Sequence, residues 1–153
     1  MERGVQVDVV TEALIDRPVA HVASFAADPS NAPQWYENIA SVEWKTSPPL
    51  AVGSRIAFVA RFLGRRLAYT YEIIELIPGR KLVMRTAEGP FPMETSYTWE
   101  AAGEGETRMT LRNRGNPRGL SAVLAPLIKV AIRRANRKDL AMLKQLLERP
   151  GTA

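Results

Sequence analysis

Near the start of the chain valine alternates with polar residues. Val5, Val7 and Val9 fall on one side of an extended segment and Gln6, Asp8 and Glu12 on the other, a period of two that predicts a strand from Val5 to Leu14. Asp16 is placed to cap a helix with Pro18 in its first turn, where a missing N–H is tolerated. Val19, Val22, Ala23 and Phe25 give that helix an apolar stripe reaching Ala27. Asp28-Pro29 breaks it, and Asn31 to Asn38, carrying Trp35 and Tyr36, reads as a second brief helix.

A series of extended segments follows, separated by Ser47-Pro48-Pro49 with Gly53, by Gly64, by Pro78-Gly79, by Gly89-Pro90 and by Gly103-Glu104-Gly105. Connections this short favour antiparallel neighbours. Period-two alternation puts Ile56, Phe58, Ala60 and Phe62, then Leu82, Met84 and Thr86, then Met93, Thr95, Tyr97 and Trp99, then Met109 and Leu111 on one face. Charged neighbours such as Arg55, Arg61, Arg85, Glu94, Glu100, Arg108 and Arg112 alternate with them, so one face is covered and the other meets water. From Leu67 to Ile77, Tyr69, Tyr71 and Ile73 share a side, but the Ile73-Ile74 step breaks the phase and predicts a bulge. After a loop from Asn113 to Pro117, the chain from about Gly119 to Arg149 has helical composition, with Pro126 expected to kink it near its start. At 1.5 Å per residue such a helix is roughly 45 Å long. Its stripe of Ile128, Ile132, Ala135, Asp139 or Leu140, Leu143 and Leu146 or Leu147 suits a covered sheet face. The fold class expected is α+β: a curved antiparallel sheet of about seven strands, two short helices and a long C-terminal helix enclosing a cavity.

Composition bounds this picture without redirecting it. A chain of 153 residues, 46% hydrophobic and 24% charged, is expected to form a single domain over residues 1–153. Without a cysteine there is no disulfide or thiol nucleophile, and with His21 as the one histidine no metal site is expected. The first ten residues have no basic segment followed by an apolar run, and nothing approaches the ~20 apolar residues of a spanning helix. The expected location is therefore the cytoplasm.

The order of elements, with the Pro18 helix and Phe25, Asp28-Pro29, Trp35, Val52-Gly53, Pro78-Gly79-Arg80, Gly105 to Arg108 and Asn136 to Leu147, resembles the SRPBCC superfamily, which includes START and polyketide cyclase/dehydrase proteins. The resemblance spans nearly the whole chain. It implies the helix-grip fold, a ligand cavity between sheet and helix, and roles in lipid or small-molecule carriage or aromatic polyketide cyclisation. It carries over no catalytic residue, because the superfamily shares no universal catalytic motif.

The chemistry legible in the chain is aromatic and thioether. Plain core packing accounts for any one of these residues, whereas together they suit an apolar pocket with a few placed hydroxyls. The expected lining is Trp35, Phe58, Phe62, Tyr69, Tyr71, Met84, Thr86, Met93, Thr95, Tyr97, Trp99, Met109, Ile132, Asn136 and Leu143. His21 is expected on the polar side of its helix, not in a catalytic triad. Glu72 and Glu75, three apart on a strand, face opposite sides unless a bulge intervenes, and read as solvated charges. No phosphate loop or cofactor motif is present. Binding of a small hydrophobic, lipid-like or aromatic molecule is the expected function, with a cyclase-like enzyme as the alternative and Tyr69, Tyr97 and Asp139 as its first residues to test. From Leu120 to Ile132 the helix is apolar around its circumference apart from Lys129, so something must cover it: the helix Asn31 to Asn38, a loop at the cavity mouth, or, through Leu120, Leu124 and Leu127, a second copy of the chain or a membrane surface. Arg133, Arg134, Arg137 and Lys138 form a basic patch beside them. Nucleic acid is not expected, since no aromatics are interleaved with these cations.

Overall fold

A computed structural model describes residues 6–116 and 124–150. The strands are β1 (Val7–Ile15), β2 (Ile39–Trp44), β3 (Arg55–Phe62), β4 (Arg65–Ile77), β5 (Lys81–Glu88), β6 (Met93–Gly103) and β7 (Glu106–Gly115). The helices are α1 (Val19–Ala27), α2 (Ala32–Trp35) and α3 (Ala125–Leu147), with a turn of 3-10 helix at Pro29–Asn31. All seven strands form one antiparallel sheet in the order β1-β7-β6-β5-β4-β3-β2. The chain leaves β1, crosses through α1 and α2 to the far edge, and returns strand by strand until β7 pairs with β1. Seven strands and the long final helix agree with the architecture expected from the alternation.

Several local readings change. The capping group of α1 is Pro18, in extended conformation, and no side chain caps the helix. The Asp16 N–H instead donates to Glu148 Oε2 at 2.7 Å, tying the end of β1 to the end of α3. The helix expected over Asn31 to Asn38 is shorter, because Pro29 and Pro33 fix the chain into the 3-10 turn and a single α-turn, and Tyr36 is already extended. β7 continues through Asn113 to Gly115, where a loop was expected.

Pro126 produces no kink in α3. It lies in the first turn, where its ring demands nothing of a preceding carbonyl, so the helix has 23 residues and is about 35 Å long. The part of the expected helix before Leu124, including Leu120, lies outside the described residues. The bulge in β4 is present, between Ile73 and Glu75. At the β3–β4 hairpin both turn residues, Leu63 and Gly64, have positive φ (52° and 76°), which matches the right-handed twist of the flanking strands.

The core lies between the inner sheet face and the helices. α1 presses Val22, Ala23 and Ala26 inward, small enough to approach β6 closely. α3 packs on β1 and α2 and buries Leu140, Leu143 and Leu147. Outside, cations and anions pair across strands: Arg55 with Glu72, Lys81 with Glu75, Arg108 with Glu100, Arg112 with Asp8 and Arg114 with Glu94.

Candidate functional site

The inward-facing positions are not equally buried along the grip. At one end Ile15 on β1, Met109 on β7 and Leu143 and Leu147 on α3 are wholly buried. Here Lys144 Nζ donates to Leu14 O at 2.8 Å and binds Glu148, so the end of α3 is latched to the end of β1. Toward the opposite end, Phe62, Tyr69, Thr86, Met93 and Ile132 hold the same inward phase yet keep part of their surface exposed.

Between these ends the sheet places hydroxyls in an apolar surround. Thr95 has one hydroxyl proton and donates it to Asn113 Oδ1 at 2.5 Å. The Tyr71 hydroxyl, 2.7 Å from Thr95 Oγ1, must then donate to it. Thr86 Oγ1 is spent on Met93, accepting from its N–H at 2.6 Å and donating to its carbonyl at 3.0 Å. Tyr36, just past α2, lies with its hydroxyl 2.5 Å from that of Tyr97, and the Trp35 ring packs against both tyrosines.

α3 adds the second polar group. Asp139 and Asn136, one turn apart, are 3% and 4% exposed. Asp139 Oδ1 accepts from the Glu37 N–H at 3.1 Å, bridging α3 to the chain after α2. Burial pushes the Asp139 carboxyl up to about 7 against the single N–H that favours its charged form. Its field reaches Tyr36, Tyr69 and Tyr97, and all three phenols are raised, chiefly by burial. Tyr71 is pushed up to about 12 for the same reason, despite its bond to Thr95. At neutral pH the phenols are therefore uncharged donors, while Asp139 is divided between carboxyl and carboxylate. Such a group can give or take a proton, and neutral donors nearby can polarise a carbonyl. Trp35 Nε1, Trp99 Nε1 and Asn136 Nδ2 are buried donors with no hydrogen-bond partner among the described residues, an arrangement costing about 1–3 kcal/mol each unless another group accepts the bond.

Of the lining expected from sequence, Trp35, Phe58, Tyr71, Met84, Tyr97, Trp99, Met109 and Leu143 come together in one buried cluster, with Tyr69 and Met93 packed against it. Thr95 and Asn136 are buried polar groups of the same region. Phe62, Thr86 and Ile132 stand outside that cluster, toward the exposed end. Tyr36 was missed as a site residue: its neighbour Trp35 hinted at it, but a pairing across 61 residues leaves no mark in local pattern. His21 is half-buried, not solvated, and its Nε2 is shielded without a partner among the described residues. The β4 bulge brings Glu72 and Glu75 to the same outer face, opposite Arg85 and Val83, and each binds its own cation. No group of three or more His, Cys, Asp or Glu among the described residues could hold a metal ion.

The family model for polyketide cyclase / dehydrase and lipid transport matches residues 6–148. No curated protein matches the sequence significantly. Solved structures similar to this one include a protein of Thermus thermophilus (20% identity over 90% of this chain and 94% of that one), the Zhui aromatase/cyclase of a Streptomyces species (16%, 95% and 95%), and a START superfamily protein of Mycobacterium smegmatis (12%, 92% and 97%). Each aligns with a TM-score of 0.79. At these identities the likeness is one of fold, and it bears out the helix-grip architecture.

Proposed function

The chain belongs to the polyketide cyclase / dehydrase and lipid transport family, and from that premise we propose that it is a single ligand-binding domain that carries or senses a small hydrophobic, lipid-like or aromatic molecule between its sheet and α3. The observation that supports this most is the surface left on a few inward-facing apolar side chains. Apolar side chains normally lose their surface when they face a core, yet Phe62, Tyr69, Met93 and Ile132 face inward and keep part of theirs. A ligand entering there would cover them and meet the unpartnered donors of Trp35, Trp99 and Asn136 as it advanced. Pockets of this make-up, apolar with few polar groups, orient small molecules.

The test is a fluorescence titration with an apolar probe against wild type and a Met93→Trp, Ile132→Trp variant. Filling the exposed end with bulk should weaken probe binding about tenfold or more, the equivalent of roughly 1.4 kcal/mol. Unchanged affinity in a folded variant would remove this end of the grip as the site.

A second reading, a cyclase- or aromatase-like enzyme, is favoured by one feature: a carboxyl poised near neutrality among uncharged phenols. Positioning a reactive chain in such a surround can itself remove several kcal/mol of a barrier. Turnover of a reactive polyketide chain that survives Tyr69→Phe, Tyr97→Phe and Asp139→Asn would eliminate these residues from any chemistry.

A further inference from the structure

α3 has two faces, and only one is accounted for by the fold. At 3.6 residues per turn, Asn136, Asp139, Leu140, Leu143 and Leu147 fall on one side, where all five are buried. Leu127, Val130, Arg134, Arg137 and Lys138 fall on the other. Leu127 is 66% exposed and Val130 60%, far more than a packed helix leaves to leucine and valine. Immediately after them, Arg133, Arg134, Arg137 and Lys138, with Val130 and Ala141, line a shallow open recess on the same outer surface.

Arg55, Arg108, Arg112 and Arg114 on the sheet each face a carboxylate, while Arg61, Arg65, Arg66 and Arg85 there do not. None of the four cations clustered on α3 forms an ion pair among the described residues. The helix has one acidic residue, Asp139, and it points into the core. The outer face is therefore an apolar beginning followed by an uncompensated cationic band.

We propose that this face docks the protein on an anionic bilayer surface, with Leu127 and Val130 below the headgroups and Arg133, Arg134, Arg137 and Lys138 at the level of their phosphates. A helix lying in the interface needs this division of apolar and basic positions, and guanidinium groups match phosphate oxygens in geometry as well as charge. A second copy of the chain fits less well, because a two-fold contact through this face would set four cations against four. Single-stranded nucleic acid would want aromatic platforms among the cations, and this face offers leucine and valine. The first turns of α3 border the exposed end of the grip, so docking would also set the proposed ligand entrance against the membrane.

The experiment is co-sedimentation with vesicles of phosphatidylcholine alone and of phosphatidylcholine mixed with phosphatidylglycerol. Binding is expected only to the mixed vesicles, weakening as salt is added, because the attraction is screened beyond about 10 Å at ordinary ionic strength. Arg134→Glu with Arg137→Glu should lower partitioning by tenfold or more, since each cation near an anionic surface is worth roughly fivefold. Leu127→Asp should lower it by a smaller but measurable factor. Both variants alter exposed positions, and an unchanged melting curve confirms that they fold. Equal binding to both vesicle types, no binding, a charge-reversed variant that binds as wild type does, or a Leu127→Asp variant without effect would each overturn the proposal, as would retention on DNA without retention on vesicles. Probe uptake by the same variants is expected to match wild type, so failure of membrane docking stays distinct from failure of the ligand-binding function.

Discussion

At one end of the grip Ile15, Met109, Leu143 and Leu147 are wholly buried, and the end of α3 is tied to the end of β1 by Lys144 and Glu148. At the other end Phe62, Tyr69, Thr86, Met93 and Ile132 face the same way and remain partly exposed. Both ends follow one hydrophobic pattern. The difference lies in what covers them: α3 closes down at its C-terminal turns, whereas its first turns leave inward-facing side chains partly uncovered. Under the proposed function, stability and binding would fall to opposite ends of the grip.

The strongest way to break that division is truncation. Leu143→Ala, at the closed end, should cost about 2–5 kcal/mol in urea unfolding, the range for a buried leucine that leaves a cavity. Ile132→Ala, on the same helix face about three turns earlier, should cost less than half as much. Equal losses would mean that the two ends are packed alike.

Next in size is the effect of pH, which probes the polar group between the ends. Asp139 is raised from its usual 3.8 to about 7 in the fold, so the folded state holds a proton that the unfolded state has released. The stabilisation is complete below about pH 4 and is lost as pH rises through about 7. The loss is on the order of a few kcal/mol, because each tenfold difference in proton affinity between the folded and unfolded states is worth about 1.4 kcal/mol. Asp139→Asn, which keeps an oxygen for the Glu37 N–H, should flatten this part of the stability–pH curve. A variant retaining the full slope would assign the proton to another group.

Smaller still is Tyr97→Phe. It removes the partner of the Tyr36 hydroxyl and should cost about 1 kcal/mol, read as a lowered unfolding midpoint. A neutral substitution would show that the Tyr36 hydroxyl finds another partner. Met93→Ala should have the least effect on stability, about 1 kcal/mol or less for a side chain already partly in water, while lowering probe affinity measurably.

The inner sheet face was legible in sequence at both ends. Strands β3, β5, β6 and β7 carry clean alternation, so Ile56, Leu82, Trp99 and Met109 could be assigned to the inner face before any fold was known. The Ile73-Ile74 step gave the bulge for the same reason. What escaped were contacts that depend on how elements meet: the Tyr36–Tyr97 pair, the Glu37–Asp139 bond and the Asp16–Glu148 tie join residues separated by 61, 102 and 132 positions. Capping failed where the local rule met a tertiary demand. Asp16 has a side chain suited to capping α1, but its N–H is drawn to Glu148 and Pro18 takes the position. The outward face of α3 lies between these cases, since its greasy and basic residues could be read from sequence while their exposure required the fold.

Whether the purified protein carries a ligand is the most direct test of the proposed division between a closed and a ligand-receiving end. Native mass spectrometry of the purified protein should show a mass above that of the chain, lost on denaturation, with a hydrophobic compound released, and occupancy should fall in the Met93→Trp, Ile132→Trp variant. A native mass equal to that of the chain, together with no uptake of apolar probes by the folded protein, would contradict it.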